Sequence, residues 1–412
     1  MFFRVDETLL NNGIRVLSQC VPGSNSVALG IWIKAGSRYE LDTQNGISHF
    51  LEHMVFTGTQ TRDARDIAIS LESLGGHLNA FTEKETIAFH SWTMPDHMHE
   101  AFEVLSDLVL NATLKPSAIR KEKTVVLEEI HSLYDSPEDL VQDILIRTVF
   151  GKHSLGRPIL GTADSISRLL RSDLDRYRAE HYTAENILVT AAGKLHHESL
   201  IQLAKKYLSD VPAGSEKKVE PPVFGGTIRR EDKMPFQQNH LCIGIPGFAM
   251  ADERRYVLVL INQILGVGMS SRLFQELREN RGWVYSIYTF LECWKDSGLL
   301  GIYAGTAPVH TEKVIRGIRA EIDKLTRKSI TVDELNRVKR RIEGHLILAH
   351  EDVNYRMDRL ARFALYDQPV PMMEETIARF NSITPVIIQK TARELFEEQS
   401  IHESLLISET AA

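Results

Sequence analysis

At 412 residues the chain is longer than one hydrophobic core usually supports, so two domains of roughly 200 residues each are expected. Its composition, 43% hydrophobic and 25% charged, is that of a globular protein and excludes a disordered or low-complexity chain. A formal net charge of −7 comes with no basic stripe to follow a phosphate backbone, which removes nucleic acid from the expected partners. No run approaches the ~18 apolar residues needed to cross a bilayer, so no membrane partner is expected either. Cys20, Cys242 and Cys293 are an odd number without short spacing, which fits a reducing compartment. The opening stretch MFFRVDETLL has no leader pattern; the expectation is a cytoplasmic protein or an already processed chain.

In chain order, Val27–Lys34 (VALGIWIK) is the first clear strand, and helical periodicity follows over Gly46–Phe56 and Ala64–Leu74. His77–Thr82 (HLNAFT) alternates as a strand and pairs with ETIAFHSW around a Glu83-Lys84 turn. Met98–Leu110 and Pro116–Tyr134 are helical, and Asn186–Gly193 is another strand. After the Pro-, Gly- and charge-rich passage Val211–Lys233 the same grammar returns. Strand HLCIGIP leads to helices RRYVLVLINQILG and SRLFQELRE, strands WVYSIYTF and GLLGIYAGT, and helices from near Thr311 and Thr331. The expected fold class is therefore α+β: two similar domains related by internal duplication, each an antiparallel or mixed sheet flanked by helices. The boundaries are residues 1–213, a linker over 214–232, and residues 233–412, with metal only in the first domain. Gly266-Val-Gly268 is too weak a match to a phosphate loop to use.

The stretch Gly46–Gly58 (GISHFLEHMVFTG) sets two histidines and a glutamate in an apolar helix. At about 100° per residue, His49 and His53 fall about 40° apart and Glu52 about 60° to the other side of His49, so all three face one way. Two imidazoles spaced i and i+4 can chelate one zinc ion, leaving the carboxylate free to hold and deprotonate a water at the metal. The order His-x-x-Glu-His inverts the commoner His-Glu-x-x-His. Hydrogen-bonded core histidines are the alternative that the motif alone leaves open.

A third ligand is available on the helix over Ser117–Tyr134. Glu122 and Glu129 project within its apolar stripe of Ile119, Val126, Ile130 and Leu133, about two turns apart. Carboxylates in such a stripe need a positive partner. A zinc ion serves Glu129 directly, and a metal-bound imidazole serves Glu122; an Arg or Lys from elsewhere is the other solution.

Together, His49, Glu52, His53, Glu122 and Glu129 resemble the zinc site of the pitrilysin family of inverzincins, the family of insulin-degrading enzyme, the mitochondrial processing peptidases and their bacterial relatives. The resemblance covers most of the chain. Gly75-Gly-His-Leu-Asn79-Ala80-Phe81-Thr82 matches the family segment Gly-Gly-x-x-Asn-Ala-x-Thr, and SRLFQELRENRGWVY, ending at Tyr285, matches a segment of its second half. The resemblance implies a bacterial zinc metalloendopeptidase with one Zn²⁺ per chain on His49, His53 and Glu129. Glu52 would be the general base and Glu122 would support a ligand imidazole. Arg278 and Tyr285 would hold substrate or the developing oxyanion, their bland reading being an exposed arginine and a half-buried tyrosine.

If His77–Thr82 lies at a sheet edge beside the metal, an extended peptide can add to it as a strand, with Asn79, Ala80 and Phe81 as its contacts. Plain core sheet is the alternative for this hairpin. Such a substrate must be short or unfolded. In relatives the Arg/Tyr pair reaches the metal from the opposing half of a clamshell that encloses a chamber, which implies a homodimer with composite active sites. The competing reading is a noncatalytic scaffold or peptide-binding subunit of the same fold; the complete ligand set and Glu52 argue against it.

Overall fold

A computed structural model describes residues 4–73, 75–215, 217–397 and 400–409. The expected helix end at Leu74 lies outside them. The chain divides into two compact units.

Unit 1 is built on six strands: β1 (Val5–Leu9), β2 (Arg15–Cys20), β3 (Val27–Ile33), β4 (His77–Thr82), β5 (Ile87–Thr93) and β6 (Ile187–Gly193). Their order is β1-β2-β6-β3-β5-β4, with only the β2/β6 pair parallel. β3 is buried along its whole length because both faces of the sheet are covered. Val27, Leu29, Ile31 and Ile33 enter the main core beneath helices Ile47–Val55 and Met98–Asn111. Ala28 and Trp32 point the other way, onto Met357, Leu360 and Ala361 of helix Val353–Leu365. A strand buried on both faces reads as a continuous apolar run, as VALGIWIK does.

Unit 2 is built on β7 (Arg229–Met234), β8 (Asn239–Gly247), β9 (Val284–Cys293), β10 (Gly298–Thr306) and β11 (His402–Ser408), in the order β7-β11-β8-β10-β9. Again only the pair joining the first and last strands, β7/β11, is parallel. Setting β1 aside, each sheet runs first, fifth, second, fourth, third strand in chain order, which is the duplication expressed as topology. One face of β8 carries Leu241, Ile243 and Ile245 into the core with helix Arg254–Leu265. The other carries Cys242 against helix Pro137–Phe150. That helix sits close because Gly244 has no side chain; a Cβ there would stand 2.9 Å from both Leu145 Cδ1 and Val149 Cγ2.

The units do not follow a single cut in the sequence. Unit 1 takes residues up to His131, Arg157–Val219 and also Ile347–Val370; unit 2 takes Ser132–Gly156, Glu220–Leu346 and the chain from Pro371. The expected linker over 214–232 likewise ends within structure, since β7 begins at Arg229. The physical reason is the two-sided sheets. Each has an apolar second face, and it is covered by one helix from the other half of the sequence.

Candidate metal centre

The motif helix Ile47–Val55 packs in unit 1 with His49 on its buried side, 7% exposed, and Glu52 and His53 half-buried. The long helix Pro116–Asp135 brings Glu122 and Glu129 to it. His49 Nε2 and His53 Nε2 each lie 3.5 Å from Glu129 Oε2, and His53 Nδ1 lies 3.5 Å from Glu122 Oε2. One ligand atom from each of His49, His53 and Glu129 falls within 4.8 Å of the other two. A tetrahedral zinc with bonds of about 2.1 Å sets its ligand atoms about 3.4 Å apart, so these three donors fit that ion. Glu122 faces the second ring nitrogen of His53, where a carboxylate fixes the tautomer that offers Nε2.

Burial pushes His49 down to about 4, against the opposing pull of Glu129, so its imidazole is neutral at neutral pH as a ligand must be. His53 is raised, chiefly by its hydrogen bond to Glu129, and the same bond lowers Glu129. Burial raises the Glu52 carboxyl, while the Thr82 hydroxyl, donating to Oε2 at 2.7 Å, pulls it back. A cavity of about 430 Å³ adjoins Glu52 and His53, lined also by Phe56, Ala64, Ala118 and Lys121.

Thr82 ends β4, which among the described residues pairs only with β5 and is the outer strand of its sheet. Asn79 is exposed, Ala80 and Phe81 are partly buried, and Asn79 Oδ1 accepts the Ala80 N–H at 2.9 Å. Arg278 and Tyr285 belong to unit 2. Arg278 is exposed over the Phe274 ring on a π-helix, Phe274–Asn280, and Tyr285 is 60% exposed on β9, the edge strand of its own sheet.

Sequence reading missed two residues. Thr82 lies in the Gly75–Thr82 segment, but its bond from β4 to the motif helix joins separate elements and has no local signal. Glu40 caps that helix from outside it. Gly46 at the cap position carries no side chain, so no capping pattern marks the start.

Behind the motif helix, Tyr177 Oη shares a 2.7 Å hydrogen bond with Ser48 Oγ, and its ring packs on His181. His181 is 1% exposed, and burial with the nearby Lys217 ammonium pushes it down to about 4. Between pH 4 and 6.5 the unfolded chain therefore binds a proton here that the folded chain does not, so this contribution to stability is complete above the unfolded value and is lost as pH falls toward 4. From pH 7 to 4.5 the loss is about 2.5 kcal/mol. Urea unfolding of wild type and His181→Leu at both pH values should show the variant losing that much less; equal losses would remove the assignment.

The family described as Insulinase (Peptidase family M16) matches residues 15–163, and that described as Peptidase M16 inactive domain matches residues 168–342. A Bacillus subtilis protein named uncharacterized zinc protease YmxG is 37% identical over 94% of this chain and 94% of its own. An uncharacterized zinc protease of Streptomyces coelicolor is 33% identical over 95% of this chain and 87% of its own. In fold, the crystal structure of a protease from Helicobacter pylori superposes with a TM-score of 0.92 at 21% identity, over 98% of this chain and 99% of that one. The chain belongs to peptidase family M16. At that level it is a zinc metallopeptidase, with relatives in bacteria. Among the described residues no helix is long and apolar enough to cross a membrane.

Proposed function

We propose that the protein is a zinc endopeptidase that cuts short or unfolded peptides laid along β4, with His49, His53 and Glu129 as the ligands. The observation that carries this reading is the 2.7 Å bond from Thr82 to Glu52, which ties the end of an open edge strand to the one carboxylate of the motif helix. A bound zinc ion supplies a Lewis acid for the scissile carbonyl and acidifies the attacking water. Glu52 accepts that water's proton and returns it to the leaving amine; its raised carboxyl suits both transfers. Glu122 holds the His53 ring. A peptide on β4 gains main-chain hydrogen bonds, and its partner for the Ala80 N–H replaces Asn79 Oδ1.

Arg278 and Tyr285 are assigned to substrate or oxyanion binding in a homodimer with composite sites around a chamber. The π-helix under Arg278 supports this, since such turns cluster at functional sites, as does a tyrosine left 60% exposed on an edge strand. The test is an unstructured peptide of about 20 residues offered beside a folded domain of similar size. Chelator-sensitive cleavage of the peptide alone is expected. Zinc binding without cleavage would move the scaffold reading to the front.

A further inference from the structure

Glu40 touches none of the metal cluster, yet it holds the backbone that carries it. Its side chain is 3% exposed. Oε2 accepts the Gly46 N–H and the Asn45 amide, each at 2.7 Å, and Oε1 accepts the Ser48 N–H at 2.9 Å. Ser48 precedes His49 in the chain. A buried carboxylate is costly unless donors surround it, so its place is set by these three groups and theirs by it.

The surroundings leave this cap little room. Gly46 adopts φ 92°, and a Cβ there would lie 2.7 Å from the Leu160 carbonyl oxygen. The Asn45 amide also donates to the Pro158 carbonyl at 2.9 Å. Arg157 donates to the Glu40 carbonyl at 2.5 Å and to Asp42 at 2.7 Å, which fixes the Glu40 backbone as well. The motif helix is only nine residues long, so its first turn seats His49, Glu52 and His53 almost directly.

We propose that Glu40 is a positioning residue of the metal centre: its buried carboxylate seats Gly46 and Ser48, and through them sets His49 and His53 against Glu129. Ligand distances are tolerated to about 0.2 Å, so a small slip of the first turn weakens the site. Glutamine cannot replace Glu40, because its amide offers one acceptor and turns N–H donors toward a backbone N–H. The inference rests on the zinc reading of His49, His53 and Glu129.

The test compares Glu40→Gln with wild type by zinc competition against a chromophoric chelator and by the visible spectrum of the Co²⁺-substituted protein. Glu40→Gln should fold, bind zinc roughly 10- to 100-fold more weakly and show an altered cobalt band, while Glu52→Gln keeps the wild-type affinity. A folded Glu40→Gln with wild-type affinity and spectrum overturns the proposal, even if its melting temperature falls. Should Glu40→Gln fail to fold, Asn45→Ser, which removes the link between Glu40 and Pro158, is read by the same two measurements and the same two outcomes. Wild type that takes up no stoichiometric zinc sinks the zinc reading itself; wild-type uptake with unchanged variants sinks only this inference.

Discussion

Glu52→Gln is expected to lower kcat/KM for an unstructured peptide by roughly 10²- to 10⁴-fold while zinc content stays at the wild-type level. The substitution keeps the volume of the side chain and an oxygen for the Thr82 hydroxyl, so the 2.7 Å tie between β4 and the motif helix can persist. What it removes is the ability to take a proton from water. A drop in turnover with little change in KM would place Glu52 in the chemical step, since an interaction made only in the transition state lowers kcat. Retention of more than about a tenth of the activity would take the base role away from Glu52.

The second large effect is expected from His49→Ala. His49 is the most buried of the three candidate ligands, and its pKa is already pushed down to about 4, so it loses nothing to protonation when a metal binds at neutral pH. Removing it leaves His53 and Glu129, a pair too few to hold zinc against a chelator. With free zinc at about 1,000 times the dissociation constant, wild type gains about 4 kcal/mol of apparent stability, seen as a zinc-dependent shift in the denaturation midpoint. His49→Ala should show no such shift and no cleavage. Stoichiometric, tight zinc in this variant would mean that the ion sits elsewhere.

The candidate metal cluster was legible in the sequence because its side chains lie on two helices, where a fixed period turns spacing into direction. His49, Glu52 and His53 share a face by arithmetic, and Glu122 and Glu129 break an apolar stripe in a way that asks for a positive partner. The structure brings these two helices together, with both histidines 3.5 Å from one Glu129 oxygen. The duplicated grammar was legible from short continuous apolar runs, the mark of strands buried on both faces, alternating with helical segments of period 3.6.

Tertiary structure decided what no local period encodes. Glu40 reaches the start of the motif helix from a preceding turn, and Thr82 reaches Glu52 from a strand; both bonds depend on where separate elements dock. The crossing of Pro137–Phe150 into unit 2 and of Val353–Leu365 into unit 1 was equally invisible. An amphipathic helix announces that it needs an apolar face, and the inner strands of both sheets, such as β3, β6, β8 and β10, offer one. Which helix covers which face is settled by the chain's path and the fit of side chains, as where Gly244 admits Leu145 and Val149. The sequence by itself determined the residue types, their facing and the repeat; only the packed chain determined their partners, because hydrophobic burial rewards area without naming its source.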